Sequence, residues 1–325
     1  MILLDRKDIK SLLSFPDYLR AVEEAFRLRA EGKSLSPVMA HVDAIDGEFH
    51  IKGGGLLADE PLFAVKVNGG FFQNGAKYGL PSIQGLILLA SAKTGTPLAI
   101  MDSGEITVQR TAAATALAAR HLALKSSRIC TICGSGKQAR AQLKAILRTF
   151  PIERVYVWSR TFARAQAFSA EARDECGVPA IATEDLHSAL AGSQICVTCT
   201  SSRKHFIALE HVHPGLFIAA VGADSPAKQE LDPRLLATAK VVTDITAQAI
   251  EVGETHHSIR AGLMRPDQVH AELGQIIAGL RPGRENDDEV IVFDSTGTAL
   301  QDVAAASAAH RRALELGIGQ QWSAA

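Results

Sequence analysis

Apolar residues at Ile9, Leu12, Leu13, Tyr18, Leu19, Val22, Ala25, Phe26 and Leu28 recur at near-helical spacing, which predicts helix over 6–31 with a break near Ser14–Pro16. Between 37 and 102 the pattern changes. The runs HVDAI, EFHIKG, FAVKVNGGFF, QGLILLAS and PLAIMD are separated by Gly, Asp-Gly and Pro signals, and predict a mostly antiparallel sheet. Residues 104–122 are Ala-rich and predict a helix that packs closely against another element. After 127, strand-like runs (RICTICG, RVYVWS, AIAT, QICVTCTS, GLFIAAVG, KVVTD, VIVFDS) alternate with helical ones (KQARAQLKAILRTF, TFARAQAFSAEARDE, EDLHSALAG). That alternation predicts βαβ units and a parallel, doubly wound sheet. The stretch 298–317 again predicts an Ala-rich helix.

At 325 residues the chain is long enough for two domains. Its 34 Lys and Arg against 35 Asp and Glu give a net charge of −1. This argues against a nucleic-acid binder or a polybasic membrane-surface protein. No apolar run reaches the roughly 18 residues that span a bilayer. The N-terminus lacks the basic-then-apolar order of a secretory signal, so a cytoplasmic protein is expected. Cysteines 130, 133, 176, 196 and 199 suggest no disulfide framework. Both C-x-x-C pairs fall in strand-like runs, where residues three apart face opposite ways, so no metal site is expected from them. The adjacent His256 and His257 have no third ligand placed by any pattern.

The strongest motif is Gly134-Ser135-Gly136-Lys137-Gln138-Ala139, after a strand and at the start of a helix. The first Gly permits a tight turn, the second lets the backbone approach a pyrophosphate, and Ala139 stands where a third Gly would serve helix–strand packing. The helix N-terminus offers free N–H groups to phosphate. The next strand ends in Ser159-Arg160-Thr161, where an NAD site carries an acid for the ribose hydroxyls. Hydroxyls and a guanidinium suit a 2′-phosphate, so NADP(H) is preferred and NAD(H) possible. Two later strand ends, with Thr198 and Thr200 and with Val221, Gly222 and Ala223, are also expected at the cofactor.

Several segments together resemble the ornithine cyclodeaminase/μ-crystallin family. They are LPSIQGLILLASAKTGTPLAIMDSGEITVQRTAAATALAARHLA, GSGKQA, VGADSPAKQELD, ELGQIIAGL and FDSTGTALQDVAAA. The resemblance implies an α/β chain with a Rossmann dinucleotide-binding domain at 114–298 and an α+β substrate-binding and dimerisation domain from 1–113 with 299–325. It implies that Lys66 and Arg110 hold a substrate α-carboxylate, that Asp294 serves as the catalytic acid/base, and that Ser295 and Gly297 of the same turn meet the cofactor. Gln84 is a further pocket candidate. Where many members carry an Arg, this chain has Met39; a cation appears instead at Lys52, which is expected to point into the pocket and compensate.

The family's reactions imply an NAD(P)H-dependent reductase or dehydrogenase interconverting an α-imino acid and an α-amino acid. One alternative is an ornithine cyclodeaminase that recycles its bound cofactor. Another is a non-catalytic NADP-dependent binding protein like μ-crystallin, against which the retained Lys66, Arg110 and Asp294 argue. The expected partners are a small amino- or imino-acid substrate and a second copy of the chain, since a sheet unit with several exposed edges gains from pairing.

Overall fold

The structure, a computed structural model, describes residues 1–323; the last two residues of the expected 299–325 segment lie outside that range. The chain divides into two compact units, Met1–Ala113 with the chain from Thr298, and Ala114–Gly297.

The first unit is built, among the described residues, on a seven-stranded sheet. Its order is Gln320–Gln321, Ile2–Leu4, Pro97–Asp102, Ile83–Ser91, Leu62–Gly70, Gly47–Leu56, Ser34–Ala44. The pairings are antiparallel except that Ile2–Leu4 runs parallel to Pro97–Asp102. The predicted break at Ser14 separates helices Arg6–Leu12 and Phe15–Ala30. Ser14 N–H donates to Asp17 at 2.8 Å and Pro16 occupies the first turn, where its missing N–H costs nothing. The first long strand starts earlier than the sequence pattern suggests and runs through Pro37, which an outermost strand with a register shift tolerates. Helix Ala299–Leu316 lies across strands Gly47–Leu56 and Leu62–Gly70 and against Phe15–Ala30. Its small residues allow close approach: a Cβ on Gly54 would meet Ala299 Cβ at 3.1 Å.

The second unit holds an eight-stranded, all-parallel sheet among the described residues. Its order is Ala271–Glu272, Lys240–Thr243, Ile291–Asp294, Phe217–Ala220, Ile195–Thr198, Ile129–Cys133, Arg154–Trp158, Ala180–Thr183. The chain winds outward from Ile129–Cys133 to Ala180–Thr183, then crosses back to Ile195–Thr198 on the other side of the first strand. This is a Rossmann sheet, and the crevice beyond the carboxyl ends of Ile129–Cys133 and Ile195–Thr198 is its topological switch point. A short parallel pair, Arg203–Ile207 with Gln229–Leu231, was not signalled by the sequence pattern. All five cysteines are free thiols. Among the described residues no helix is long and apolar enough to cross a membrane.

Candidate active site

In the first unit the sheet register puts Met39, Lys52 and Lys66 side by side across three strands. Successive residues of a strand face opposite ways, so these three share one face. Lys52 and Lys66 are both buried, as is Arg110 on helix Ser103–Leu122. Asp302, on helix Ala299–Leu316, draws the cations together. Lys66 Nζ lies 2.6 Å from Asp302 Oδ2, and Arg110 Nε donates to Asp302 Oδ1 at 3.0 Å. Arg110 Nη1 donates to Gln301 Oε1 at 2.8 Å. Three cations therefore gather around one carboxylate.

The electrostatics follow from that count. Burial pulls the Lys66 ammonium down to about 7; Asp302 opposes this, while Arg110 and Lys52 reinforce it. Burial disfavours the Asp302 carboxylate, but Lys66, Arg110 and Lys52 outweigh it and hold its pKa below the usual range. Lys52 thus lies buried beside Lys66, in the row that also holds Met39. The structure does not bring Gln84 there. Lys66 pairs with Ile87, and Gln84, three residues before Ile87, pairs with Gly69 on the opposite face of the sheet. It lines a cavity of about 830 Å³ with Phe49, Phe71 and Tyr78. The pleat sets Gln84 on the face opposite Lys66.

In the second unit the expected cofactor residues line the carboxyl edge of the parallel sheet. Main-chain bonds stitch their turns side by side: Gly134 N–H to Trp158 O, Cys199 N–H to Cys133 O, Val221 N–H to Thr198 O and Ser295 N–H to Ala220 O, each at 2.9 Å. Gly134 has φ +134°, and a Cβ there would lie 2.9 Å from Cys199 Sγ, so both conformation and space require glycine. Gly136 precedes helix Lys137–Thr149, has open space where a side chain would project, and supplies no side-chain cap. The free N–H groups of that helix end fit a pyrophosphate. Ala139 is fully buried against the sheet, and Lys137 is exposed beside Gln138. Ser135 and Ser159 hydroxyls are 3.2 Å apart, and Arg160 and Thr161 are exposed beyond the second strand. Gly297 N–H donates to Asp244 at 2.7 Å, while Ala223 is buried.

Thr198, Thr200 and Gly222 converge on a residue the sequence reading missed. The buried Glu230 accepts from Thr198 Oγ1 at 2.6 Å, Thr200 N–H at 2.6 Å, Thr200 Oγ1 at 2.7 Å and Gly222 N–H at 3.0 Å. Its carboxylate ties two strand-end turns into one surface. Glu254, also fully buried, accepts from the N–H groups of Glu230 and Leu231 and so fixes Glu230 in turn.

Asp294 ends strand Ile291–Asp294, as its motif suggested. It is 0 % exposed. Oδ1 accepts from Glu254 N–H at 3.1 Å, and Oδ2 accepts from Thr255 N–H at 2.8 Å and Thr255 Oγ1 at 2.6 Å. Those are the first groups of helix Glu254–Arg260. Burial lifts its pKa to about 6, against the pull of the Thr255 and backbone donors. A carboxylate enclosed this way, with both oxygens accepting from the first groups of a helix, caps that helix from within.

Asp302 and Gln301 were also missed. The available signal was two adjacent polar residues inside the Ala-rich run TALQDVAAA, at positions that bury with their apolar neighbours.

The sequence profile of the ornithine cyclodeaminase/mu-crystallin family matches residues 1–317. The alanine dehydrogenase of Archaeoglobus fulgidus is 38 % identical over 320 residues, covering 98 % of this chain and 97 % of its own length. An archaeal alanine dehydrogenase dimer with bound NAD superposes with a TM-score of 0.94 at 37 % identity, covering 100 % of this chain and 99 % of its own. The Thermococcus litoralis Δ1-pyrroline-2-carboxylate reductase in complex with NADH and L-proline does so with a TM-score of 0.93 at 33 % identity, covering 99 % and 100 %. On its sequence and its fold, the chain belongs to the ornithine cyclodeaminase/mu-crystallin family.

Proposed function

We propose that this chain is an NAD(P)H-dependent oxidoreductase that interconverts an α-imino acid, cyclic or derived from a 2-oxo acid, and the corresponding α-amino acid. The buried cluster of Lys52, Lys66 and Arg110 around Asp302 carries the reading. Lys66 and Arg110 share the single carboxylate of Asp302, which leaves one positive charge for a substrate carboxylate to offset. Arg110 Nη2 donates to no described residue, so a hydrogen-bonding edge remains for that carboxylate.

The two units have separate tasks. Residues 114–297 hold the dinucleotide on the Gly134–Ala139 turn and the Glu230-tied strand ends. Residues 1–113 with the chain from 298 hold the substrate. When bound, the dinucleotide would supply hydride chemistry for the substrate Cα. Lys66, poised near pH 7, orients the carboxylate and exchanges the proton that the substrate nitrogen gains or loses.

Ser159, Arg160 and Thr161 support a preference for NADP(H), since the chain offers hydroxyls and a guanidinium where a ribose-binding acid would stand. The solved relatives named above carry NAD or NADH, so both cofactors belong in the assay. A homodimer is supported by one face of the first unit's sheet, opposite Lys66, where Val38, Val42, Phe49, Val67 and Leu86 are exposed together. Five free thiols suit the reducing cytoplasm.

The test follows NADPH and NADH absorbance with cyclic imines, 2-oxo acids plus ammonia or methylamine, and ornithine in parallel. Stoichiometric oxidation with one imine class is expected, faster with NADPH. Proline and ammonia formed from ornithine with only catalytic cofactor would replace this reading with a cyclodeaminase. Tight NADPH binding without turnover of any imine would replace it with a binding protein.

A further inference from the structure

We propose that the hairpin of strands Ser34–Ala44 and Gly47–Leu56 carries a divalent-cation site of the zinc class, with His41, Glu48 and His50 as its ligands. The hairpin register builds it. His41 lies directly across from His50, and Asp43 directly across from Glu48. Residues two apart on a strand share a face, so all four side chains project from the same side. Sequence spacing conceals this, because His41 and His50 are brought opposite only by the turn at Ile45–Asp46.

The distances suit a metal. His50 Nε2 is 3.0 Å from one Glu48 oxygen, and His41 Nε2 is 3.8 Å from the other. The imidazole rings sit 4.9 Å apart at 79°, edge to face. The ligand atoms of the three residues all lie within 4.8 Å of one another. Tetrahedral zinc with bonds of about 2.1 Å needs ligand atoms roughly 3.4 Å apart, so sub-ångström side-chain shifts complete the geometry. Two imidazoles and a carboxylate form a common open zinc donor set, and the fourth position is left for water. His50 and Glu48 are nearly buried, which excludes competing water, while His41 on the outermost strand is about a third exposed and gives the ion a way in. Asp43 Oδ1 lies 3.1 Å from His41 Nε2, a contact that metal binding at Nε2 would displace. Its carboxylate then adds negative charge at the rim.

The site lies on the same face as the substrate-binding cations but does not depend on their role. Two residues of strand, about 7 Å, separate His50 from Lys52. Lys52 is the nearest cation along that face, and the two carboxylates at positions 43 and 48 offset it.

The experiment titrates Zn²⁺ alone into the full, chelator-treated chain by calorimetry, with Co²⁺ absorption spectra to report nitrogen and oxygen coordination. One ion per chain with a micromolar or tighter Kd is expected. His41→Ala and Glu48→Gln should each weaken binding at least tenfold, and His256→Ala should leave it unchanged. His41 is the most exposed ligand, so His41→Ala is the variant that keeps its fold; His50→Ala is read only if its circular dichroism matches the parent chain. Absence of saturable binding, or equal binding by the parent and His41→Ala, overturns the proposal.

Discussion

Replacing Asp302 by Asn tests whether one carboxylate organises the buried cluster of Lys52, Lys66 and Arg110. Asn keeps the shape and leaves an acceptor for Arg110 Nε, so packing of helix Ala299–Leu316 is preserved and only the charge is lost. Asp302 is 1 % exposed, and its partners Lys66 and Arg110 are 3 % and 4 % exposed. At an effective dielectric of about 20, unit charges about 3 Å apart attract by roughly 5–6 kcal/mol, most of it offset by the cost of taking both from water. Removing one partner leaves the other's burial uncompensated, at a cost of about 3–5 kcal/mol. For a unit of this size each kcal/mol moves Tm by roughly 2–4 °C, so a drop on the order of 10 °C is expected. Scanning calorimetry at pH 6 and at pH 9 resolves the cause. Asp302 opposes the burial that lowers the Lys66 pKa, so in the variant Lys66 discharges at a lower pH than in the parent chain, and the penalty shrinks as the pH rises. Pairing the change with Lys66→Met should give less than the sum of the two single losses, by about 0.5–3 kcal/mol. A loss below about 1 kcal/mol at both pH values, or strict additivity, would refute the argument that Asp302 balances the cluster.

Lys66 has a folded pKa of about 7 against an ordinary value of 10.5, so the unfolded chain binds the extra proton between these values, and stability relative to Lys66→Met should rise with pH across that window; a flat difference in urea midpoints would sink it. Binding of a carboxylate ligand such as L-proline should raise that pKa again and take up a proton near pH 8, visible as a buffer-dependent heat; equal heats in buffers of different ionisation enthalpy would count against it. Asp294→Asn should lower stability by about 1–3 kcal/mol through the cap of helix Glu254–Arg260 and leave the shape of the pH–rate profile intact. A fall in kcat above a hundredfold at unchanged Tm would restore Asp294 as an acid/base. Glu230→Gln should raise the KM for the dinucleotide about tenfold while changing kcat less, because it loosens the Thr198, Thr200 and Gly222 turns; an unchanged cofactor KM would reject that role. Val42→Glu with Val67→Glu should convert a dimer to a monomer in sedimentation, and a monomeric parent chain would remove the basis for it.

What could be read from the sequence divides by the range of the contacts involved. The Gly134–Ala139 turn was legible because its meaning lies in five or six consecutive residues: a glycine at φ +134°, a helix start and a strand before it. The Rossmann winding was legible for a related reason, since each βα unit is a local pattern and the parallel connection has a preferred hand. Asp294 shows where that logic ends. Its motif located a carboxylate at a strand end, but the N–H groups that claim it come from Glu254 and Thr255, forty and thirty-nine residues away. Asp302 is a longer case: its bond with Arg110 spans 192 positions, and the local run TALQDVAAA hints at burial without naming a partner. Gln84 failed on parity, because a strand's face is decided by which residue pairs with which partner, and Lys66 selects Ile87. The same register that removes Gln84 brings Lys52 beside Lys66 and His41 beside His50. Charge on this sheet is therefore sorted by rows: one row holds Met39, Lys52 and Lys66, the next His41 and His50, the next Asp43 and Glu48. A polar side chain buried in such a row must find its partner within the row, in an adjacent one, or on the helix above. That requirement explains why an acid at 302, on the helix covering the Lys row, is needed for two buried lysines and an arginine to coexist.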